Sequence, residues 1–427
     1  MAILRYQKLP QGDGTGSSWA NARAAANLAT DYASAAPGDR FFVGQERHKP
    51  EIYIDQSWPQ FNRPGTETDR ILVCGGNLGE EGSIGLSRNE KDVQPTLKND
   101  SRGEPWGPGK PKGSGILDIN EGADYLTIEN FFLQGGNDSV GAVNLDGSNT
   151  GLQLNKLNFK NVGRAVALSS SASYTDTIIR KCRAEGITRG FLRTQGTNSG
   201  WLIEDVIAIA EFADGDAIIQ IFQHEDNDTN VTYRRVHARF GPSLYVPDGT
   251  TESAGGYTQG DGYNAETNTS NFLYDGCSAV GFWDGGWDVK TNNVTFYRCF
   301  AHDNKRHFRT WGVGVVFKEC LMWPTQHKDM HTHNTLMHHL SRDSTQVTVN
   351  DNTYIADDGL DAFLETEGAA GGAFFRATNC TVENMPSNVP FWTGTPGLTM
   401  ELTNFRINDT VFNGTFIAGS ENDVTGY

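Results

Sequence analysis

The sequence predicts an all-β fold, a single-stranded right-handed parallel β-helix whose coils are about 22 residues long. Short segments with apolar residues at alternate positions recur along the chain, and they repeat at a nearly constant interval. Turn-forming residues are abundant, with 49 glycines among 427 residues. Because equivalent residues of successive coils lie about 4.8 Å apart in such a solenoid, the register between coils decides which side chains meet.

Cysteines mark the repeat. Cys277, Cys299 and Cys320 each end a short strand-like segment ("NFLYDGC", "NVTFYRC" and "GVVFKEC"), at intervals of 22 and 21 residues. In-register neighbours on parallel strands point the same way, so we expect a ladder of reduced, buried thiols and no disulfides. The chain has six cysteines and no CxxC pair, which argues against a thiolate zinc site.

The repeat divides the chain into three regions. Residues 1–44 join a Gly-rich turn to an Ala-rich stretch, and we expect a helix there that caps the open end of the solenoid. Residues 45–110 are rich in Pro and Gly, which predicts long loops on the first coils. Residues 111–427 form the body of the β-helix, with another long insertion at 240–260.

Composition limits the partners of the protein. A formal net charge of -17 argues against a nucleic-acid partner, and no apolar run is long enough for a membrane helix. The first residues lack the apolar core of a signal peptide. We therefore expect an extracellular protein whose leader is missing from this sequence, or a virion component released by lysis.

Four segments in the middle of the chain share a second pattern: "DGYNAE", "GGWDVK", "RHFRTW" and "DMHTHN". Aligning Tyr263, Trp287, Phe308 and Met330 gives intervals of 24, 21 and 22 residues. Tyr263 and Trp287 should point into the core. One outward column then holds Asn264, Asp288, Arg309 and His331, and a second holds Glu266, Lys290, Trp311 and His333.

Carboxylates on adjacent coils suggest a metal site. Asp261, Asp284 and Asp288 are hard oxygen ligands of the kind that Ca²⁺ prefers, and Glu266 is a fourth candidate. The alternative interpretation is that Asp beside Gly is corner chemistry in a solenoid rich in turns.

Positive charge is concentrated one coil further on, in "NKRHFRTWG" at 304–312. Cleaving a uronic acid polymer by β-elimination requires neutralising a carboxylate and removing the adjacent proton with a base. Candidate catalytic residues are Arg309, Lys305, Lys290 and His331. Candidate substrate-binding residues are Arg306, His307, Trp311 and His333. Alternatively, Lys305 is a solvated corner residue and Arg309 forms a structural ion pair with Asp288.

The segments "GDGYNAE", "WDGGWDVK" and "HFRTWG" resemble the calcium-dependent family 9 polysaccharide lyases, pectate lyases on a right-handed β-helix whose motifs run DGF, DDGFD and GFKLGG. The resemblance covers residues 255–335 and implies Asp261, Asp284 and Asp288 as Ca²⁺ ligands. Arg309 takes the place of the family's lysine base. Gly285 stands where the family has one of its paired acids.

These observations predict an enzyme that cleaves an acidic polysaccharide by β-elimination, such as a phage tailspike-like depolymerase, which would form a homotrimer. Two alternatives stay open. The first is a non-catalytic glycan-binding or structural virion protein with the same fold. The second is a glycoside hydrolase with paired carboxylates, either Asp284 with Asp288 or Asp261 with Glu266.

Overall fold

The structure is a computed structural model. It describes residues 1–7, 12–17, 21–24, 27–44, 51–53, 60–75, 96–98, 116–134, 141–210, 219–240, 260–282, 284–323, 336–341, 345–356, 360–367, 372–419 and 424. The chain divides into two compact units, Met1–Val206 and Ile207–Tyr427. None of the described helices has the length and apolar character that a membrane span requires.

Unit 1 consists of short parallel strands and one short helix, α1 (Leu28–Tyr32). Its strands are β1 (Ile3–Gln7), β2 (Arg23–Ala24), β3 (Arg40–Val43), β4 (Glu51–Tyr53), β5 (Gln60–Phe61), β6 (Ile71–Gly75), β7 (Thr96–Lys98), β8 (Leu117–Ile119), β9 (Leu126–Glu129), β10 (Phe132–Gln134), β11 (Gly141–Leu145), β12 (Ser148–Thr150), β13 (Gln153–Asn155), β14 (Asn158–Lys160), β15 (Arg164–Leu168), β16 (Ser173–Thr175), β17 (Ile178–Arg180), β18 (Arg183–Ile187), β19 (Gly190–Thr194), β20 (Thr197–Ser199) and β21 (Leu202–Ala210), which extends past Val206.

These strands stack in parallel rows, one strand per coil. One row is β1, β3, β6, β9, β13 and β17, and a second is β4, β7, β10, β14 and β18. A third row is β5, β8, β11, β15 and β19. The predicted parallel β-helix is confirmed, and its parallel pairing begins with the first strand of the chain.

The predicted N-terminal helix is shorter than the Ala-rich stretch suggested. Only Leu28–Tyr32 is helical among the described residues, and Arg23–Ala24 forms a strand that pairs with Tyr6 and Gln7. Pairing with an existing strand satisfies the backbone of this segment, and that tertiary contact overrides the helix propensity of alanine. Much of the predicted loop region, including residues 76–95 and 99–110, lies outside the described residues.

Unit 2 repeats the architecture with longer strands. They are β22 (Ile219–His224), β23 (Asn227–Phe240), β24 (Gly260–Ala265), β25 (Ser270–Asp275), β26 (Ser278–Val280), β27 (Gly285–Val289), β28 (Asn292–Tyr297), β29 (Phe300–His302), β30 (Arg306–Thr310), β31 (Val315–Lys318), β32 (Leu321–Trp323), β33 (Leu336–Leu340), β34 (Gln346–Asn350), β35 (Thr353–Ile355), β36 (Ala362–Thr366), β37 (Phe374–Thr378), β38 (Thr381–Glu383), β39 (Trp392–Gly394), β40 (Thr399–Ile407) and β41 (Thr410–Ile417).

Three parallel rows build unit 2. The first is β22, β24, β27, β30, β33, β36 and β39, and it carries the candidate site. The second is β23, β25, β28, β31, β34, β37 and β40, and the third is β26, β29, β32, β35 and β38. The last strand, β41, departs from this pattern by pairing with β40 in antiparallel fashion.

The core of unit 2 contains two stacks of aromatic rings. In the first row, Phe222, Tyr263, Trp287 and Phe308 stack with centroids 5.0, 5.0 and 4.6 Å apart. In the second row, Tyr233, Tyr274, Phe296 and Phe317 stack at 5.1, 5.0 and 4.5 Å. Tyr263 and Trp287 are fully buried, as predicted.

The cysteine ladder is confirmed. All six cysteines are free and buried. The Cys299 and Cys320 thiols each donate a hydrogen bond, 3.4 Å long, to a backbone carbonyl one coil earlier, at Tyr274 and Phe296. The thiols therefore act as small core residues whose weak donors are satisfied within the solenoid.

The predicted register is right for three coils and wrong for the fourth. Tyr263 pairs with Trp287, and Trp287 with Phe308, at the predicted intervals of 24 and 21 residues. Phe308, however, pairs with His338 and not with Met330. The interval there is 30 residues, because residues 324–335, which the structure does not describe, lengthen this coil. A constant-period alignment cannot locate such an insertion.

Candidate functional site

The candidate site lies on the first strand row, where two adjacent residues of each strand face inward. Tyr263 is buried, and an added Cβ at Gly262 would lie 2.9 Å from the ring of Phe282 and 3.1 Å from Ala279, so Gly262 faces the interior too. With both positions turned inward, the residues on either side, Asp261 and Asn264, face the same outer groove. Strict alternation would have placed them on opposite faces.

A groove of about 520 Å³ results. Its lining residues come from β22, β24, β27 and β30, from residues directly before or after these strands, and from the residue after β36: Gln220, Asp261, Asn264, Glu266, Asp284, Asp288, Lys290, Arg306, Arg309, Trp311 and Glu367. We call this the carboxylate groove. It brings together all four predicted metal ligands, two of the four predicted catalytic residues and two of the four predicted substrate-binding residues.

Asp261 is the most unusual acid of the carboxylate groove. It is 3% exposed and accepts a hydrogen bond from the Gly285 N–H at 3.0 Å, and the Gln220 amide lies 3.4 Å from its other oxygen. Burial, followed by the charges of Asp284 and Asp288, raises the pKa of Asp261 well above its ordinary value. Asp261 therefore favours the protonated form beside two other carboxylates.

Asp284 and Asp288 are each held by a cation from the next coil. The Arg306 guanidinium contacts Asp284 directly. Asp288 accepts a hydrogen bond from the indole N–H of Trp311 at 2.8 Å and lies 3.6 Å from the guanidinium of Arg309. Burial raises the pKa of Asp288, while Arg309 opposes that rise by favouring the carboxylate.

Arg309 links several side chains. Its Nη2 lies 3.1 Å from Glu367, its Nε donates to Ser341 at 3.0 Å, and its guanidinium lies 4.6 Å from the centroid of the Trp311 ring. The alternative interpretation of Arg309 as an ion-pair partner of Asp288 is thus supported. Arginine keeps its proton in proteins, and a guanidinium held by two carboxylates is positioned to orient them and to bind ligands.

Lys290 is also paired. Its Nζ donates to both oxygens of Glu266, at 2.8 and 2.9 Å, and lies 5.6 Å from the centroid of the Trp311 ring. The second predicted column, Glu266–Lys290–Trp311, is therefore assembled as expected on one face.

Lys305 is not a solvated corner residue. It is 3% exposed, and burial together with the neighbouring Arg306 lowers its pKa to about 8. It lies beside the carboxylate groove without lining it. The solvated alternative fails because the side chain of Lys305 is withdrawn from water.

His307 was predicted to bind substrate, and the structure contradicts this. Its side chain is fully buried inside the coil, with Nδ1 3.4 Å from the amide of Asn304. The inward turn of two consecutive residues explains the error, because His307 and Phe308 both point into the core. A glycan in the carboxylate groove cannot contact this ring.

His331 and His333 lie outside the described residues. The partner of Arg309 on the next coil is His339, followed by Glu365. Burial lowers the pKa of His339, whose Nε2 lies 3.2 Å from Glu367. The His339 contact and Arg309 lower the pKa of Glu367 to about 2.

Sequence reasoning missed Gln220 and Glu367. Gln220 occupies an outward position on the strand aligned with β24, but 41 residues separate it from Asp261, so the constant repeat interval could not locate it. Glu367 follows β36, beyond the coil that the constant period misplaced. Only a sequence search that allows variable coil lengths both before Asp261 and after Phe308 would have included both residues.

Calcium fits this donor set poorly. The described residues include no group of three or more His, Cys, Asp or Glu side chains spaced to hold a metal ion. Arg306 contacts Asp284, and Arg309 and Trp311 contact Asp288, so both carboxylates are already engaged by side chains of the protein. Gly285 supplies a backbone N–H to Asp261 where the resembled family has an acid. Calcium stays a prediction of the sequence, made from its carboxylates and from the resemblance.

Comparison with known proteins supports the fold. No family model matches the sequence, and a comparison with curated proteins gives no match. Among solved structures, the A-module of the mannuronan C-5 epimerase AlgE6 from Azotobacter vinelandii is similar with a TM-score of 0.53 and 14% identity, covering 91% of this chain and 93% of that one. The GH136 lacto-N-biosidase from Eubacterium ramulus gives 0.51 and 11%, covering 96% and 68%.

Pectate lyase Pel9A is also similar, with a TM-score of 0.47 and 11% identity, covering 91% of this chain and 79% of that one. At sequence identities of 11–14%, the similarity to these structures shows the fold alone. The likeness to the epimerase module and to the lacto-N-biosidase agrees with the parallel β-helix that the strand pairing shows.

Proposed function

We propose that the protein is a glycoside hydrolase that cleaves a polysaccharide bound in the carboxylate groove. The observation that carries this proposal is the environment of three acids. Asp261 is buried and favours its proton, whereas Asp284 contacts the Arg306 guanidinium, and Asp288 lies beside Arg309 and Trp311, which oppose the rise that burial causes in its pKa. Glycoside hydrolysis requires such a pair, one carboxylic acid and one carboxylate, on either side of the bond that breaks.

Asp261 is the proposed general acid. It donates its proton to the glycosidic oxygen as the bond between that oxygen and the anomeric carbon breaks. The positive charge that develops on the sugar ring is stabilised by the two carboxylates nearby. Water then supplies the hydroxyl group of the new reducing end, so no cofactor or redox partner is required.

Asp284 and Asp288 are the two candidates for the second carboxylate. Either can take a proton from the attacking water, or attack the anomeric carbon and be released by water afterwards. Arg306 keeps Asp284 oriented, and Trp311 does the same for Asp288.

β-Elimination is a second candidate, favoured by one observation. Lys305 has a pKa lowered to about 8, so a substantial part of its amine population is neutral and basic near that pH. Arg309 is less suited to the role first predicted for it, because Asp288 and Glu367 hold its guanidinium. Elimination leaves an unsaturated sugar that absorbs ultraviolet light, whereas hydrolysis does not, so product spectra distinguish the two reactions.

The experiment compares D261N, D284N and D288N on a polysaccharide and on an aryl glycoside of the same sugar with an activated leaving group. An activated leaving group needs no proton. We expect D261N to lose about 10²–10⁴-fold on the polysaccharide and far less on the aryl glycoside. The variant lacking the second carboxylate should lose activity on both substrates.

Asp275→Asn is a matched control, because this aspartate pairs with Arg234 away from the carboxylate groove. It should retain activity on both substrates. Equal losses for D261N on the two substrates would contradict the assignment of Asp261 as acid. If the product is unsaturated and Lys305→Met abolishes its formation, the reaction is elimination and not hydrolysis.

A further inference from the structure

The charges lining the carboxylate groove are unfavourable for an anionic ligand. Five acids and three cations line it, leaving an excess of two formal negative charges, or one while Asp261 keeps its proton. Like charges at close range in a partly desolvated site repel strongly. A uronic acid residue would add another negative charge to this surface.

The three lining cations each already contact a carboxylate. Lys290 contacts Glu266, Arg306 contacts Asp284, and Arg309 lies between Asp288 and Glu367. A sugar carboxylate would have to compete with these resident acids for the same cations. Recognition of an anionic sugar would instead require a cation that the groove's own acids leave available.

Asn264 provides an independent observation. Its side chain lines the carboxylate groove and is 2% exposed, yet its Oδ1 has no hydrogen-bond partner among the described residues. The strand register places it between Gln223 on one coil and Asp288 on the next. A buried acceptor without a donor is unfavourable, and a ligand that supplies a donor removes that cost.

We propose, building on the proposed function, that the carboxylate groove binds an uncharged sugar residue, and that the Asn264 carboxamide accepts a hydrogen bond from one of its hydroxyl groups. A hydroxyl group is a neutral donor and adds no charge to an already negative site. The ring of Trp311 lines the same groove, where it packs against the cations of Arg309 and Lys290.

An uncharged sugar can bind among the acids of the carboxylate groove without electrostatic repulsion. A neutral sugar presents several hydroxyl groups, each of which can donate to a carboxylate or a carboxamide. The ion pairs of the lining cations need not break when such a sugar binds. Asn264 is then a specificity residue, beside the carboxylates that carry out the proposed chemistry.

Binding is tested on the full chain carrying D261N, so that turnover does not consume the ligand. The probes are two sets of oligosaccharides, neutral ones from glucan, galactan and mannan, and uronic ones from polygalacturonate and alginate, measured by titration calorimetry. We expect at least one neutral set to bind and both uronic sets to bind more weakly. Asn264→Leu, which keeps the size of the side chain, should weaken neutral binding about 10- to 100-fold.

Thermal stability separates a binding role from a structural one. Asn304→Leu is the matched control, because Asn304 is fully buried with both ends of its amide satisfied, at 3.0 Å to Phe282 and 3.0 Å to Ala279. Asn304→Leu should lower the melting temperature. Asn264→Leu should leave it unchanged or raise it, since the substitution removes an acceptor that no described residue satisfies.

Three outcomes would overturn the inference: binding of uronic oligosaccharides alone, binding of neither set, or an Asn264→Leu variant that loses stability and keeps its affinity. Failure of the proposed hydrolysis would look different. Neutral oligosaccharides would then bind with the expected dependence on Asn264, but the unsubstituted protein would leave them uncleaved.

Discussion

At the scale of single residues, Asp261 has an environment that its neighbours in sequence do not reveal. Its carboxyl group is buried one coil below Gly285 and close to two acids from the next coil. A surface aspartate beside glycine is an ordinary turn residue. The same dipeptide becomes a candidate acid catalyst here because stacking removes it from water and adds negative charge around it.

The pH dependence of activity should report on Asp261. The protonated form is the active one in the proposed mechanism, so activity falls as the pH rises through the raised pKa of this group. The Gln220 amide donates to the carboxylate and so opposes the rise in pKa. Gln220→Met should therefore raise the pKa of Asp261 further and move the alkaline limb of the pH profile of kcat/KM to higher pH.

Gln223→Met is the control for that measurement. Gln223 lies on the same strand and donates to Glu225 at 2.6 Å, and it does not line the carboxylate groove. Its substitution should leave the alkaline limb in place. A shift to lower pH in Gln220→Met would mean that Asp261 does not control this limb.

Calcium removal is a second test at this scale. Arg306, Arg309 and Trp311 occupy the positions around Asp284 and Asp288, so we expect a chelator to change neither kcat/KM nor the melting temperature by more than the error of measurement. Loss of activity on chelation, restored by Ca²⁺, would show that the carboxylates rearrange around a metal, as the resemblance to family 9 lyases implies.

At the scale of elements, the first strand row both builds the core and presents the site. Trp287 stacks between Tyr263 and Phe308 on its inner face, while Asp288 projects from the adjacent position into the carboxylate groove. Coils held in register by stacked rings keep the outward carboxylates aligned as well. Core packing and site geometry are therefore linked, because the core residue Trp287 and the groove residue Asp288 are neighbours on β27.

Trp287→Ala tests that link. Deleting a fully buried indole from the stack should lower the free energy of unfolding by about 3–5 kcal/mol, measured by denaturant titration. Trp287→Phe keeps an aromatic ring in the stack and should cost far less. Similar stabilities for the two variants would show that the ring stack contributes little to unit 2.

Much of this element-level organisation follows from the sequence, and part of it does not. The intervals between Cys277, Cys299 and Cys320, and the step from Tyr263 to Trp287, give the correct register for three coils. His338 could not be placed in the same way, because the number of residues between two strands is free to vary while the strands still pair.

At the scale of the whole molecule, the aromatic row ends in a buried histidine that makes stability depend on pH. His338 stacks on Phe308, and its Nε2 lies 3.0 Å from the hydroxyl of Tyr354. Burial lowers its pKa from 6.5 to about 3. The neutral ring therefore contributes stability that is fully present above pH 6.5 and is lost as the pH falls toward 3.

His338→Phe should remove this part of the acid sensitivity. Between pH 7 and pH 5, we expect the unsubstituted protein to lose about 2 kcal/mol more stability than the variant, since each pH unit between the two pKa values is worth about 1.4 kcal/mol. Denaturant titrations at several pH values measure the difference. The control His302→Phe changes a half-buried histidine and should leave the acid limb unchanged.

The sequence by itself determined the parallel β-helix, the buried cysteines, the inward Tyr263 and Trp287, and the presence of Asp261, Asp288 and Arg309 on one face. These follow from local patterns, because alternation and a repeat interval are properties of the chain alone.

Only the tertiary structure decided how those side chains are used. It placed His307 in the core, assigned each groove cation to a carboxylate, brought Gln220 and Glu367 to the site, and left the oxygen of Asn264 without a described partner. The physical reason is that burial and pairing depend on contacts between coils, and coil length between strands varies without altering the strand pattern. The charge and the protonation states of the side chains in the carboxylate groove therefore depend on the contacts between coils.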